Sequence, residues 1–262
     1  MTEESTGASL VQELPWDSDF FGLPIGRVPL DRPSPTDVAE AIGAARRSGV
    51  ACLYLTCAAD EVVGVTAAVR GGFRVVDVRV TLDRSMELSE KTVATVPTAE
   101  RGATFPPSTR RAQESDLPRL ARLARTAFQE SRFFVDGRFP RSRVEDLYQR
   151  WLERDYSSAD GVVVVEDVET SGGQTAGFAS GLFQGDTARV GLVAVAPEFR
   201  GQGIGSRIVS GLLREFAGRR ARRTVVVTQA RNRAAIRLYE EAGFRAFAIE
   251  VTLHWWADEN PV

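Results

Sequence analysis

The apolar positions of this chain fall into runs whose period switches repeatedly between that of a strand and that of a helix. After a polar leader, FFGLPIGRVPL reads as a short strand, and the Pro33 to Pro35 cluster opens the helical pattern TDVAEAIGAARRSG. VACLYLT then predicts a buried strand, ADEVVGVTAAVRGG a helix stopped by glycines, and FRVVDVRVTLDR a strand with partial alternation, in the order βαβαβ. Between Glu87 and Ser108 the period vanishes into Ser, Thr, Glu and Pro, the composition of a linker. Beyond it the pattern predicts a strand at TRRAQ, a helix over Asp116–Phe128, a loop SRFFVDGRFPRS and a helix over Val144–Arg154. Four strands follow, GVVVVEDV, TAGFASGLFQ, ARVGLVAVA and RTVVVTQA, with helices after the third and fourth and a last strand FAIEVTLHWW. The expected architecture is α+β with a mixed sheet, divided into a half-domain at 1–92, a linker at 93–107 and a larger domain at 108–262.

A repeat supports that division. Gly72, Phe73, Arg74 followed by Val80, Thr81, Leu82 matches Gly243, Phe244, Arg245 followed by Val251, Thr252, Leu253 without a gap. The same register lays strand on strand and helix on helix, with Tyr239 opposite Ala68 and Asn232 opposite Glu61. The N-terminal part therefore reads as a degenerate copy in which only the second member keeps a phenol and an amide.

Composition narrows the function. A chain of 262 residues, 43% hydrophobic and 26% charged with net charge -2, is an ordinary globular protein without the cationic field of a nucleic-acid binder. No apolar run is long enough for a membrane span, and the acidic start MTEESTGASLVQELP has no apolar signal core, so the expected location is cytoplasmic. Cys52 and Cys57 lack metal or redox spacing and read as core, and with one histidine, His254, no metal site is expected.

The chemistry concentrates in VGLVAVAPEFRGQGIGSRIVSGLL, where a strand ends at Pro197 and a glycine-rich turn opens a helix whose apolar stripe runs Ile204, Ile208, Val209, Leu212, Leu213, Phe216. Gly201, Gly203 and Gly205 let the backbone amides converge at the positive end of that helix, which makes an anion cradle. No Lys-Ser/Thr pair follows, and residue 206 is Ser, so neither the nucleoside-triphosphatase loop nor the dinucleotide fingerprint is met. In ARNRAAIRLYEEAGF, Asn232 and Tyr239 lie seven residues apart, which on a helix is within roughly 20° of one face. A phenol of ordinary pKa near 10 holds a proton that it can donate in general acid catalysis.

These two segments resemble the GCN5-related N-acetyltransferase (GNAT) family, whose loop pattern, Arg or Gln, two residues, Gly, one residue, Gly or Ala, is filled by Arg200, Gly203 and Gly205. The resemblance implies a GNAT fold in the C-terminal domain and acetyl-CoA as cosubstrate. It places the coenzyme against Val193, Ala194 and Val195, the loop Arg200, Gly201, Gln202, Gly203, Ile204, Gly205 and Ser206, and Asn232, with Tyr239 as the catalytic acid. LPWDSDFFGLP, AFQESRFF, YQRWLE and NRAAIRLYEEAGF further resemble those members that acetylate a dTDP-linked 4-amino-4,6-dideoxyhexose. The implied function is direct acetyl transfer to the amine of such a sugar, without an acyl-enzyme, and the family likeness adds a homodimer. Arg132, Phe133 and Phe134 begin an arginine- and aromatic-rich segment that suits a nucleotide diphosphate or, equally, a solvated loop. The general base is left open among Glu166, Asp167, Glu250, His254 and a water relay. The rival readings are a GNAT enzyme for another amine, such as an antibiotic, polyamine or peptide N-terminus, and a non-catalytic acyl-CoA-binding module.

Overall fold

The computed structural model of the protein describes residues 10–86, 109–168 and 174–259. The expected linker at 93–107 lies outside the described residues. Two compact units emerge, interleaved along the chain: unit 1 holds Met1–Arg79, Ser131–Arg143 and Ala248–Val262, and unit 2 holds Val80–Glu130 and Val144–Phe247. The elements are mixed as the α+β expectation requires.

Unit 1 begins with β1 (Gln12–Glu13), α1 (Pro15–Phe21), β2 (Ile25–Val28), α2 (Pro35–Arg47), β3 (Cys52–Ala58) and α3 (Val62–Arg70). β1 pairs antiparallel with β2, β2 parallel with β3, and β3 antiparallel with residues 250–256 of the last strand. Helix α1 occupies sequence expected to be leader and strand. Pro15 fits the first turn, where no amide is needed, Ser18 Oγ donates to Leu14 O at 2.8 Å, and Gly22 at φ 74° ends the helix. Val38, Ala41 and Ala45 of α2 join Leu53, Leu55, Cys57, Phe73, Leu253 and Trp255 in one core. The expected loop after Ser131 contains a further helical turn, α5 (Arg132–Asp136), ended by Gly137 at φ 75°.

Unit 2 carries β5 (Thr109–Arg111), α4 (Leu117–Ala127), α6 (Arg141–Ser157, from Val144 onward), β6 (Gly161–Val168), β7 (Gln174–Gln184), β8 (Thr187–Val195), α7 (Ile204–Gly218), β9 (Arg223–Gln229) and α8 (Arg233–Glu241). Its strands pair in the order β5-β6-β7-β8-β9, antiparallel except for β8 with β9. The α7 stripe is buried as its spacing predicts, with Ile204, Ile208, Val209, Leu212 and Phe216 in a core with Val164, Ala179, Val226 and Phe244.

The remaining strands are β4 (Arg74–Ser85) and β10 (Arg245–Trp256). The repeat seen in sequence is present in backbone form. β3, α3 and β4 recur as β9, α8 and β10 with every boundary displaced by 171 residues. Phe73 N–H donates to Ala68 O at 2.9 Å and Phe244 N–H to Tyr239 O at 3.0 Å, while Gly72 and Gly243 take φ of 95° and 87°. Each copy also has a strand pair before it, β1 with β2 and β7 with β8, and a parallel pair bridged by a helix, β2-α2-β3 and β8-α7-β9.

Unit 1 also encloses a polar pair among aromatics. His254, 1% exposed, donates from Nδ1 to the Asp136 carboxylate, which also accepts from Trp256 Nε1 at 3.2 Å. Its ring stacks on Tyr54 at 4.6 Å, beside Phe133 and Phe139. Burial pushes the imidazole down to about 4, against the opposing pull of Asp136. The unfolded chain thus binds a proton below about 6.5 that the folded chain refuses until about 4, so stability falls as pH falls through that window. The contribution is up to about 3 kcal/mol. Melting temperatures measured from pH 7 to 4 are expected to fall more steeply for the parent than for His254→Gln; equal slopes would contradict the assignment.

Candidate functional site

The site in unit 2 begins where β8 stops bonding to β9. Their parallel register runs from Thr187 opposite Arg223 to Val190 opposite Val226 and ends there, although β8 continues to Val195. On its other side β8 stays paired with β7, Val193 opposite Ala179 and Val195 opposite Gly177, and Ala196 N–H donates to Ala176 O at 2.8 Å. In an antiparallel ladder with that phase, Val193 and Val195 turn their main-chain groups away from β7, while Ala194 turns its own toward it. Two of the three expected strand residues therefore face a gap with hydrogen-bonding groups, and Ala194 serves the sheet. Arg200 Nε donates to Val195 O at 3.1 Å.

After a 3-10 turn at Pro197–Phe199, Gly201 and Gly203 take φ of 76° and 73°, a region side chains with a Cβ disfavour. Gly203 is the N-cap of α7 and supplies no side-chain cap, and no acidic residue stands in the first turn. The amides of Ile204, Gly205 and Ser206 at the positive helix end are therefore open to an anion. Arg207 secures the loop from behind: Nη1 donates to Gln202 O at 3.1 Å and Nε to Glu166, whose carboxylate is fully buried and also accepts from Thr109 Oγ1. Glu166, a candidate base by sequence, is thus a structural anchor.

A cleft of about 350 Å³ opens over these groups. Val195, Arg200, Gly201, Gly203, Ile204, Gly205 and Ser206 line it, together with Phe199, Ala234, Arg237, Leu238 and Glu241. The α8 residues among these were missed by motif reading. Their spacing, 234, 237, 238, 241, is the signal that identifies one helix face.

Asn232 and Tyr239 stand differently from the sequence expectation. Asn232 precedes α8 rather than sharing its face, and its Oδ1 caps the helix by accepting from Ala235 N–H at 3.0 Å. Tyr239 points from the cleft-lining stripe into the core, 5% exposed and 5.8 Å from the Phe244 ring, and neither residue lines the cleft. Burial raises the Tyr239 phenol above its ordinary value, so it holds its proton throughout neutral pH.

The other candidate bases are engaged. Asp167 pairs with Arg110 at 2.7 Å and accepts from Thr175 at 2.9 Å, Glu250 lies 3.6 Å from Arg79, and His254 is bound to Asp136. Arg132, Phe133 and Phe134 belong to unit 1, apart from the coenzyme candidates in unit 2. The Arg132 guanidinium covers Tyr54 at 4.4 Å and Phe133 at 4.5 Å, and Phe133 is buried against Phe21 and Phe139. Burial raises both thiols, Cys57 to about 11, so neither is a thiolate near neutrality. Among the described residues no cluster of three His, Cys, Asp or Glu could hold a metal, and no helix is long and apolar enough to cross a membrane.

The first copy offers a contrast. The N-terminus of α2 is closed by a capping box, with Ser34 Oγ accepting from Asp37 N–H at 3.2 Å and Asp37 accepting from Ser34 N–H at 2.8 Å. A carboxylate occupies in α2 the position that Ser206 holds in α7.

Residues 118–244 match the acetyltransferase (GNAT) family. The spore coat polysaccharide biosynthesis protein SpsD of Bacillus subtilis is 30% identical over 144 residues, 55% of this chain, so the chain spans about half, 49%, of that relative. The dTDP-fucosamine acetyltransferase of Escherichia coli is 25% identical over 248 residues, 94% of this chain and 96% of that protein. The [ribosomal protein bS18]-alanine N-acetyltransferase of Escherichia coli is 31% identical over 99 residues, 38% of this chain and 67% of that enzyme. A GCN5-related N-acetyltransferase from Sphaerobacter thermophilus shares the fold at TM-score 0.61 and 16% identity, over 89% of this chain and 72% of that one.

Replacing Ser206 by Asp copies the closed α2 terminus into α7. It is expected to stabilise the protein by about 0.5 kcal/mol through the helix dipole while weakening coenzyme A binding at least tenfold. Thermal melting and calorimetric titration read the two signs separately; unchanged binding would show that the anion site lies elsewhere.

Proposed function

The chain belongs to the acetyltransferase (GNAT) family, and from that membership we propose that it transfers an acetyl group from acetyl-CoA directly to the primary amine of a nucleotide-linked amino sugar, with a dTDP-linked 4-amino-4,6-dideoxyhexose as the preferred acceptor. The observation that carries the coenzyme half of this reading is the open N-terminus of α7 beside the unpaired stretch of β8. The first suits a pyrophosphate and the second an amide-bearing arm, which are the two recognition features of a coenzyme A chain. The acceptor half is supported by the relative named dTDP-fucosamine acetyltransferase, alignable along nearly the whole chain including unit 1, and by the polysaccharide role in the name of SpsD. A homodimer belongs to the same reading through family likeness, and a cytoplasmic location through the sequence.

In this reading the amine nitrogen attacks the thioester carbonyl, the C–N bond forms and the C–S bond breaks. We assign the proton for the departing thiolate to the Tyr239 hydroxyl, whose ring packs in the core outside the cleft lining, so the role requires that hydroxyl to reach the sulfur from beneath the α8 stripe; the proton shed by the attacking amine then returns to the phenolate through water. A phenol that stays protonated at neutral pH is suited to donate only as charge develops on sulfur. With both cysteines held as thiols, direct transfer needs no acyl-enzyme. A peptide N-terminus is the second acceptor class, favoured by likeness to the ribosomal-protein acetyltransferase, though that likeness extends over only 99 residues.

The test follows thiol release and product mass with acetyl-CoA and dTDP-4-amino-4,6-dideoxygalactose. Acetylation is expected, with kcat lowered about 100-fold or more in Tyr239→Phe at unchanged acetyl-CoA affinity. Binding of acetyl-CoA without acetylation of any amino sugar would remove the sugar assignment, and full activity in the variant would remove the acid.

A further inference from the structure

The unpaired stretch of β8 has a cause inside unit 2. Between Val190 opposite Gly181 and Val193 opposite Ala179, β8 contains two residues, Gly191 and Leu192, where β7 contains only Ser180. The extra residue is a bulge, and it sets the phase of everything after it. By the register beyond the bulge, the Leu192 amide belongs opposite Ser180, and it is held by the Ser180 side chain, Leu192 N–H donating to Oγ at 3.0 Å. The same hydroxyl donates to Asp155 Oδ2 at 2.6 Å.

Asp155 lies in the last turn of α6, and its other oxygen accepts from Arg154 at 2.7 Å and 3.0 Å. Both Asp155 and Ser180 are completely buried. A Cβ at Gly191 would stand 2.7 Å from Asp155 Oδ2 and 2.8 Å from Ser180 Oγ, so only glycine fits at the extra position. A buried carboxylate is retained at a substantial desolvation cost, and here its hydrogen bond goes to the one side chain that closes the bulge.

We propose that Asp155 and Ser180 are positioning residues for the acyl-CoA site: they pin the bulge at Gly191–Leu192 and so fix Val193 and Val195 with their main-chain groups facing the gap left by β9. The proposal rests on the coenzyme reading above. Loss of the pin frees β8 to shift by one residue against β7, which would turn Ala194 into the gap in place of its neighbours. The effect falls on coenzyme affinity rather than on folding as a whole.

The experiment is calorimetric titration of coenzyme A into the full chain and into Ser180→Ala, Asp155→Asn and Val164→Ala, with melting temperatures for each. Val164 is a fully buried β6 residue whose truncation thins the same core without touching the bulge. Ser180→Ala is expected to raise Kd about tenfold, Asp155→Asn to raise it less because its amide oxygen still accepts from Ser180, and Val164→Ala to leave Kd within twofold at a comparable loss of melting temperature. Hydrogen exchange at the Leu192 amide should quicken in Ser180→Ala alone. If Ser180→Ala binds like the parent, or if Val164→Ala weakens binding equally, the pin is overturned while the coenzyme reading stands. If the parent does not bind coenzyme A, the coenzyme reading falls and this proposal with it; should Ser180→Ala be too unstable to purify, Asp155→Asn against Val164→Ala decides.

Discussion

A sheet offers main-chain hydrogen bonds to a ligand only where it has stopped bonding to itself, and unit 2 depends on that interruption at β8. Pairing with β9 ends at Val190, one residue before the insertion at Gly191–Leu192, and the strand then runs on as far as Val195 with one side bonded to β7 and the other free. Unpaired backbone groups are costly in a buried sheet. The gap is sustained by compensation around it: the Ser180 hydroxyl that accepts from the Leu192 amide, the Arg200 guanidinium on Val195 O, and a core of α7 side chains that keeps the surrounding strands packed.

The second requirement is an uncapped helix. A side chain can satisfy the first amides of a helix, as Ser34 and Asp37 do in α2. In α7 the cap is Gly203, and Arg207 donates to the Gln202 carbonyl of the preceding loop. The two copies share the order of strand pairing, the displaced boundaries of α3 and α8 and the backbone hydrogen bonds that end those helices, and they differ in the bulged strand and glycine loop of the second copy and in single side chains. Asp37 against Ser206 and Ala68 against Tyr239 are the most telling of these. We read the first copy as retained for its packing and the second for its chemistry.

Periodicity and repeats were enough to read most strands and helices, because Val, Ile and Leu runs bounded by Gly and Pro leave few alternatives, and the glycine loop was legible through the chemistry that Gly201, Gly203 and Gly205 permit. Helix α1 was not legible, since its two phenylalanines next to Gly-Leu-Pro mimic a strand and only Pro15 marks a helical start. The turn α5 was hidden because its order comes from Phe133 packing on residues distant in sequence. The grouping of 131–143 and 248–262 with the N-terminal residues is likewise a long-range contact property with no local pattern. At the site, Asn232 and Tyr239 stood out by residue type, and the first caps the helix while the second packs in the core; the plainer stripe Ala234, Arg237, Leu238, Glu241, which no motif marks, lines the cleft.

The central claim, that the second copy alone carries the coenzyme, is tested most directly by mapping hydrogen exchange of the full chain with and without saturating coenzyme A. The account predicts that protection appears in the segment 191–206 and along the cleft face of α8, and that the equivalent segment of the first copy, 24–37, is unchanged. Protection at 24–37, or a bound coenzyme that leaves 191–206 exchanging as before, would contradict it.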